Sequence, residues 1–223
     1  ILFSQPFTME LLPTPPQARI ALQPPLKERF TAGYTGHLYA GRGIELILAL
    51  AQKLPQVNFL VVGGEPDDVE KFQRLARTTG LNNLLLTGFV SNALLPQYQA
   101  ACDLLLMPYQ AHVSASSGGD IARYLSPMKV FEYLASGRVI LSSNLPVLKE
   151  VLNEQNSLLL PPDDPQAWES AIQQLIASPD LRSRLAARAH QDAQQYSWQQ
   201  RAQRILSGLD GSPPTTDRHE EAE

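Results

Sequence analysis

Lys129 and Glu132 stand three positions apart in the stretch SPMKVFEYLASGRVILSS, residues 126–143. Ser126 is a good N-cap, Pro127 falls where the first helical residue would be, and Gly137 follows a run of helix formers at the C′ position. The pattern predicts a helix of about ten residues. Unpaired N–H groups at such a start attract anions, phosphates in particular, because the free donors and the macrodipole act together. Lys129 would add a full positive charge one turn inside that start, with Glu132 a further turn in. A cation and a carboxylate at one helix mouth suit a ligand that carries both phosphates and hydroxyls, such as a nucleotide sugar. A capped surface helix with an ordinary charge pair has the same spacing and stays open.

The elements that must hold this helix are legible on either side of it. Residues 138–142 (RVILS) read as a buried strand feeding a polar loop. Upstream, residues 34–38 form a plausible first strand and turn, followed by AGRG and a helical run over 44–53 whose apolar face is Ile44, Ile47, Leu48 and Ala51. Residues 58–64 are a strand running into the turn Gly63-Gly64, 69–79 a helix, 84–90 a third strand and 103–108 a fourth. Between the last two, 93–101 reads as a helix with Leu94, Leu95 and Tyr98 inward, and 157–160 is a last short strand. Strand and helix alternate at spacings that need crossovers, so the sheet should be parallel, doubly wound and covered on both faces, an α/β fold. Ligands of such sheets sit beyond the carboxyl ends of the strands.

Two further helices close the domain. One opens at Asp164-Pro165 and runs to about 177 with Trp168, Ile172 and Leu175 near one face; the other opens at Pro179-Asp180 and runs through Arg188 toward Tyr196. Ser197-Trp198 would cap a final helix ending near Leu206. Residues 1–32 contain six prolines, a density that argues against regular structure, and read as a proline-rich connector. Residues 207–223 are polar and charged and should be disordered.

Composition excludes several classes. A hydrophobic content of 43% over 223 residues is enough for a substantial core. With 18 basic against 22 acidic residues, a net charge of −4 and no long basic run, nucleic acid is not the expected principal partner. The single cysteine, Cys102, cannot form an internal disulfide and suits a reducing, cytoplasmic compartment; it should pack as a small apolar residue. No apolar run approaches the ~18 residues of a membrane span, which leaves only peripheral membrane contact open. The opening at Ile1, without an initiator methionine, suggests a fragment of something longer.

The ordered series GHLYAGRGIELIL, FLVVGGEP, LLLTGFV, CDLLLMPY, SPMKVFEYLASGRVILSS and YSWQQRA resembles the C-terminal, donor-binding half of retaining glycosyltransferases of the GT-B fold, the large group often called family 4. The resemblance covers residues 33–206. It implies a Rossmann-like domain, one half of a GT-B architecture, that binds a nucleotide-diphosphate sugar in a cleft between two such domains. It implies no cofactor beyond that substrate and, as a rule, no required metal ion. An N-terminal acceptor domain or a partner chain would complete the cleft.

Residue by residue, the resemblance assigns an uneven site. The family has two glutamates separated by seven residues; Glu132 matches the second, which holds the ribose hydroxyls. The first falls on Tyr124, which cannot reproduce a carboxylate's contact with the donor sugar. Between them the family's glycine loop is replaced by Ser126, Pro127, Met128 and Lys129. Backbone N–H groups near Met128 remain able to meet a phosphate, whereas Pro127 has none. Gly36 matches the loop that approaches the diphosphate, with Arg42 in the usual lysine position and His37 in the usual arginine position. Arginine suits phosphate through its planar fork; a solvated arginine in a glycine-rich turn is the alternative. A neutral His37 would weaken the clamp.

Gly63 and Gly64 read as a tight strand exit, and Phe89 and Val90 match the segment whose backbone lies against the nucleobase, although a structural role for Phe89 stays open. The long polar stretch 109–124, with Gly118-Gly119 able to hinge, would fit a lid over the donor. His112 and Asp120 on it have no spacing that fixes a geometry. The function expected is a glycosyltransferase donor domain, with Arg42, Lys129 and the helix start stabilising the leaving diphosphate and Glu132 completing the site. The alternative is a non-catalytic nucleotide-sugar-binding or assembly module that needs a partner chain.

Overall fold

The computed structural model describes residues 13–22, 26, 28–114, 119–120, 122 and 128–209. Six strands, β1 (Thr31–Thr35), β2 (Asn58–Val62), β3 (Leu84–Leu86), β4 (Leu104–Met107), β5 (Val139–Ser143) and β6 (Leu158–Leu160), form one sheet in the order β3-β2-β1-β4-β5-β6. Every pairing is parallel, from Thr31 opposite Asn58 to Ser143 opposite Leu160. The strand order reverses between β1 and β4, and sheets of this kind hold their ligands in the crevice beyond the carboxyl ends of the strands at such a reversal.

The helices are α1 (Pro15–Ala21), α2 (Ile44–Lys53), α3 (Pro66–Thr78), α4 (Leu95–Ala100), α5 (Lys129–Ala135), α6 (Pro146–Lys149), α7 (Pro165–Ala177), α8 (Pro179–Ala193) and α9 (Trp198–Leu209). A 3-10 turn, Gln194–Tyr196, joins the last two. Local chemistry sets several starts: Asp164 accepts from the Gln166 and Ala167 amides at 3.1 Å, and Pro165 occupies a first-turn position that needs no N–H. Two apolar clusters cover the sheet. Ile44, Ile47, Phe59, Trp168 and Leu175 lie on one face, and Leu105, Met107, Val130, Tyr133 and Leu148 on the other. Helix α8 serves both, through Leu185 and Ala189. Among the described residues no helix is long and apolar enough to cross a membrane.

The sequence pattern placed α2 and α7 at their observed limits, but four expectations need correction. The first strand occupies 31–35, not 34–38. Its residues, TAGYT, carry little hydrophobicity, yet all five are buried; Gly33 leaves no side chain because the Cys102 thiol packs against its Cα. The proline-rich segment contains α1, since Pro15 and Pro16 fall in its first turn, where proline costs no hydrogen bond. Leu94 is exposed ahead of α4 instead of pointing inward. The polar tail begins later than expected, because α9 continues to Leu209; residues 210–223 lie outside the described residues.

The central helix also differs. Its described part is the seven residues of α5, beginning at Lys129, with Met128 already in helical conformation before it. Lys129 is therefore the first helical residue and Glu132 belongs to the same turn. The proposed cap at Ser126, the Pro127 start and Tyr124 lie outside the described residues. The far end agrees, with Gly137 at φ +64° closing the helix.

Candidate anion-binding crevice between β1 and β4

Helix α5 is bolted to the end of β1 by two side chains one turn apart. The Thr35 amide donates to the Tyr133 hydroxyl at 2.8 Å, and the Thr35 hydroxyl donates to the same oxygen at 3.3 Å. On the other side, Lys129 Nζ donates to the Thr35 carbonyl at 2.7 Å. Residues four apart on a helix share a face, which is why one helix can grip both polar groups of a single residue. Tyr133 is fully buried, and burial pushes its phenol up, so it stays neutral.

The Lys129 ammonium lies 4.0 Å from the Tyr34 ring centroid and 5.1 Å from that of Tyr109. Arg42 reaches the same tyrosine: its Nη1 donates to the Tyr109 hydroxyl at 3.2 Å, and its Cζ is 5.2 Å from the ring centroid. Both cations thus lie within 5.2 Å of the Tyr109 ring centroid. Lys129 as a residue is half-buried, but its ammonium is enclosed, and burial followed by the charge of Arg42 holds its pKa well below the usual lysine value; Glu132 pulls the other way. Arg42 Nε is buried, with no acceptor in reach among the described residues. Lys129 has three donors and, among the described residues, gives one to Thr35. Buried donors of two cations that find no acceptor among the described residues, with one carboxylate near, are what an anion with more than one charge would satisfy.

Two loops shape this opening. Residues 36–43 follow β1 and residues 108–114 follow β4, and they are joined where the Gln110 amide donates to the Gly41 carbonyl at 2.9 Å and the Ser114 amide to the Ala40 carbonyl at 3.0 Å. Gly41, at φ +81°, lets the loops close, since a Cβ there would fall on the His112 carbonyl. The described part of the expected lid is therefore tied down at its start, and Asp120 Oδ1 accepts from the Val113 and Ala122 amides at 3.0 Å each. His112 is exposed.

Gly36, directly after β1, has φ +137°, and a Cβ on it would lie 2.7 Å from Lys129 Nζ. From Gly36 the rim continues across the sheet: its amide donates to the Val62 carbonyl at 2.8 Å, and the Gly63 amide donates to the Gly88 carbonyl at 2.9 Å. That row ends at Phe89, 85% exposed, and the half-buried Val90. Both line a groove of about 510 Å³ with Leu85, Thr87 and Tyr98. Gly36, Arg42 and Lys129 are thus brought together, Glu132 is beside them, and Phe89 and Val90 are reached along the rim. Met128 is exposed at the helix start, and Ser126 lies outside the described residues.

His37 does not join the cations. It is exposed and stacked on Tyr39, with centroids 4.9 Å apart and planes 5° from parallel. Lys129, coming from another element, supplies the second charge beside Arg42. Sequence reasoning missed Tyr34, Tyr109 and Tyr133; the signal was a tyrosine at or near the end of each element that faces the crevice. Cys102, as expected, is buried, and burial pushes its thiol up to about 12.

The sheet order and the crevice define one Rossmann-like half of the GT-B architecture. The chain belongs to the group 1 glycosyl transferases, whose family profile matches residues 29–178. It is 29% identical over 202 residues to a D-inositol 3-phosphate glycosyltransferase of Corynebacterium urealyticum, an alignment covering 85% of this chain and 44% of that protein. The chain therefore spans less than half the length of that relative. Among solved structures it is similar to HepE of Anabaena in complex with UDP-glucose, with a TM-score of 0.73, 21% identity, and coverage of 92% of this chain and 56% of that one. It also matches the C-terminal domain of the group 1 protein LpcC from Francisella tularensis, with a TM-score of 0.66, 17% identity, and coverage of 83% of this chain and 94% of that domain. At those identities the two structures speak for the fold.

Proposed function

We propose that this chain is the donor domain of a retaining glycosyltransferase and binds a nucleoside-diphosphate sugar across the β1/β4 crevice. The observation that carries the reading is the convergence of Arg42 and Lys129 on Tyr109, with a buried Arg42 Nε that has no partner among the described residues. The diphosphate would rest near Gly36, whose lack of a side chain leaves room for the Lys129 ammonium, and take hydrogen bonds from both cations. As the sugar leaves, negative charge grows on the diphosphate, and cations already fixed in place stabilise it without reorganising. Glu132 would hold the ribose hydroxyls, and the groove beside Phe89 and Val90 would take the base. The UDP-glucose bound in the Anabaena relative's structure supports a uridine nucleotide as the first to try. The greater length of the Corynebacterium relative, of which this chain covers 44%, supports an acceptor domain or partner chain that selects the acceptor. A cytoplasmic setting suits the single buried thiol.

The second reading, a nucleotide-sugar-binding module without catalysis of its own, is favoured by Tyr124 standing where the family places its first glutamate. Titration with UDP-, GDP- and ADP-sugars, followed by a transfer assay on the full-length protein, separates the two. Binding with transfer supports the enzyme, and binding without transfer supports the module.

A further inference from the structure

The groove at the exit of β3 is lined in part by a residue from outside the family segment. Leu85, Thr87, Phe89, Val90 and Tyr98 come from β3, the turn after it and α4, but the lining also includes Leu22. Leu22 closes α1, upstream of the matched span that begins at residue 29.

That helix is fixed at depth. Arg19, 4% exposed, donates through Nη1 to Asp103 Oδ2 at 2.8 Å, to the Ala101 carbonyl at 3.2 Å and to the Thr31 hydroxyl at 3.3 Å. Asp103 Oδ2 also accepts from the Thr31 amide at 2.7 Å, so one carboxylate joins α1 to the start of β1. At the foot of β5, Arg138 Nη2 donates to the Pro13 carbonyl at 2.6 Å and to that of Ala100 at 3.0 Å. Without α1, the half-buried Asp103 carboxylate would lose its cation and the buried Arg138 one of its acceptors, both of which cost stability. Ala18 and Leu22 complete the attachment in the same apolar cluster as Ala100 and Leu105.

We propose that α1 is a strap that completes the donor site, with Leu22 forming part of the surface against which the nucleoside end of the ligand packs. The inference rests on the nucleoside-diphosphate reading above. Leu22, 4% exposed, backs the groove with an apolar side chain and carries no charge, so it acts on the nucleoside and leaves the diphosphate alone. A residue ahead of the family segment then helps determine how tightly the base is held.

Calorimetric titration of the chain with inorganic pyrophosphate, and with whichever of UDP, GDP and ADP binds tightest, tests this directly. Leu22→Ala, which removes the backing of the groove, should weaken the nucleotide about twofold to threefold and leave pyrophosphate unchanged. Arg19→Met, which frees the helix, should act in the same direction. Amide exchange on the unaltered chain is a second measurement that does not depend on the variants folding: the nucleotide should slow exchange in residues 13–22 and pyrophosphate should not. Equal losses for both ligands, unchanged nucleotide affinity in a folded Leu22→Ala chain, or no nucleotide-dependent protection of 13–22 overturns the strap. An unaltered chain that binds none of these ligands overturns the nucleoside-diphosphate reading itself, and the strap with it.

Discussion

Lys129 Nζ lies 2.7 Å from the Thr35 carbonyl oxygen, a contact between the first residue of α5 and the last of β1 that spans 94 positions of sequence. It places an ammonium at the carboxyl end of β1, beside the strand at which the sheet order reverses. The two tyrosine faces beneath it hold the charge without neutralising it, as a carboxylate partner would. Lys129→Met keeps the stem and removes the charge. Diphosphate affinity should fall about tenfold or more, and the salt dependence of binding should shrink, both read by titration at stepped ionic strength.

Gly36→Ala probes the same contact from the other side. Its Cβ would come within 2.7 Å of Lys129 Nζ, at a φ of +137° that disfavours any side chain. Donor binding should drop at least as far as in Lys129→Met, with a lowered unfolding midpoint that Lys129→Met need not show.

Tyr109→Phe removes the acceptor that holds Arg42 Nη1 and leaves the ring faced by both cations. Stability should change by about 1 kcal/mol, the worth of one hydrogen bond. Nucleotide affinity should fall several-fold, because Arg42 loses its alignment; paired thermal unfolding and titration read the two effects separately.

The lowered pKa of Lys129 has a definite sign in stability. Burial, then Arg42, disfavour its charged form, so the unfolded chain binds the proton more tightly than the folded one. Between the lowered value and the ordinary 10.5, folded stability should rise with pH, and Lys129→Met should flatten that rise in urea midpoints measured at stepped pH. Diphosphate binding should run the opposite way, weakening as pH climbs through the lowered value and the ammonium discharges.

The Arg19–Asp103 pair should behave as a buried structural tie. Its side chains are 5% and 18% exposed, and Asp103 also serves the Thr31 amide. Removing either partner should cost about 3 kcal/mol, and the double replacement should cost less than the sum in a denaturant cycle.

Periodicity made the helices around Ile44 and Trp168 legible, because each buries one stripe and starts at a recognisable glycine or Asp-Pro. The resemblance brought Gly36, Arg42 and Lys129 together as candidates. What sequence could not reveal was contact across the sheet. Nothing local marks Thr35 as the residue that Lys129 and Tyr133 both grip, or Tyr109 as the ring that both cations approach. The opening strand was misplaced because a central parallel strand can be buried with threonine, alanine and glycine when a neighbour such as Cys102 fills the space. Helix α1 was hidden because proline reads as a breaker unless it falls in a first turn, and Arg19 looks like a surface residue until Asp103 is seen facing it.

A crystal structure of the chain soaked with UDP tests the central claim most directly. The diphosphate should lie against Gly36, accepting hydrogen bonds from Lys129 Nζ and from the Arg42 guanidinium. A nucleotide bound elsewhere, or a diphosphate that touches neither cation while both keep their Thr35 and Tyr109 contacts, would contradict the account.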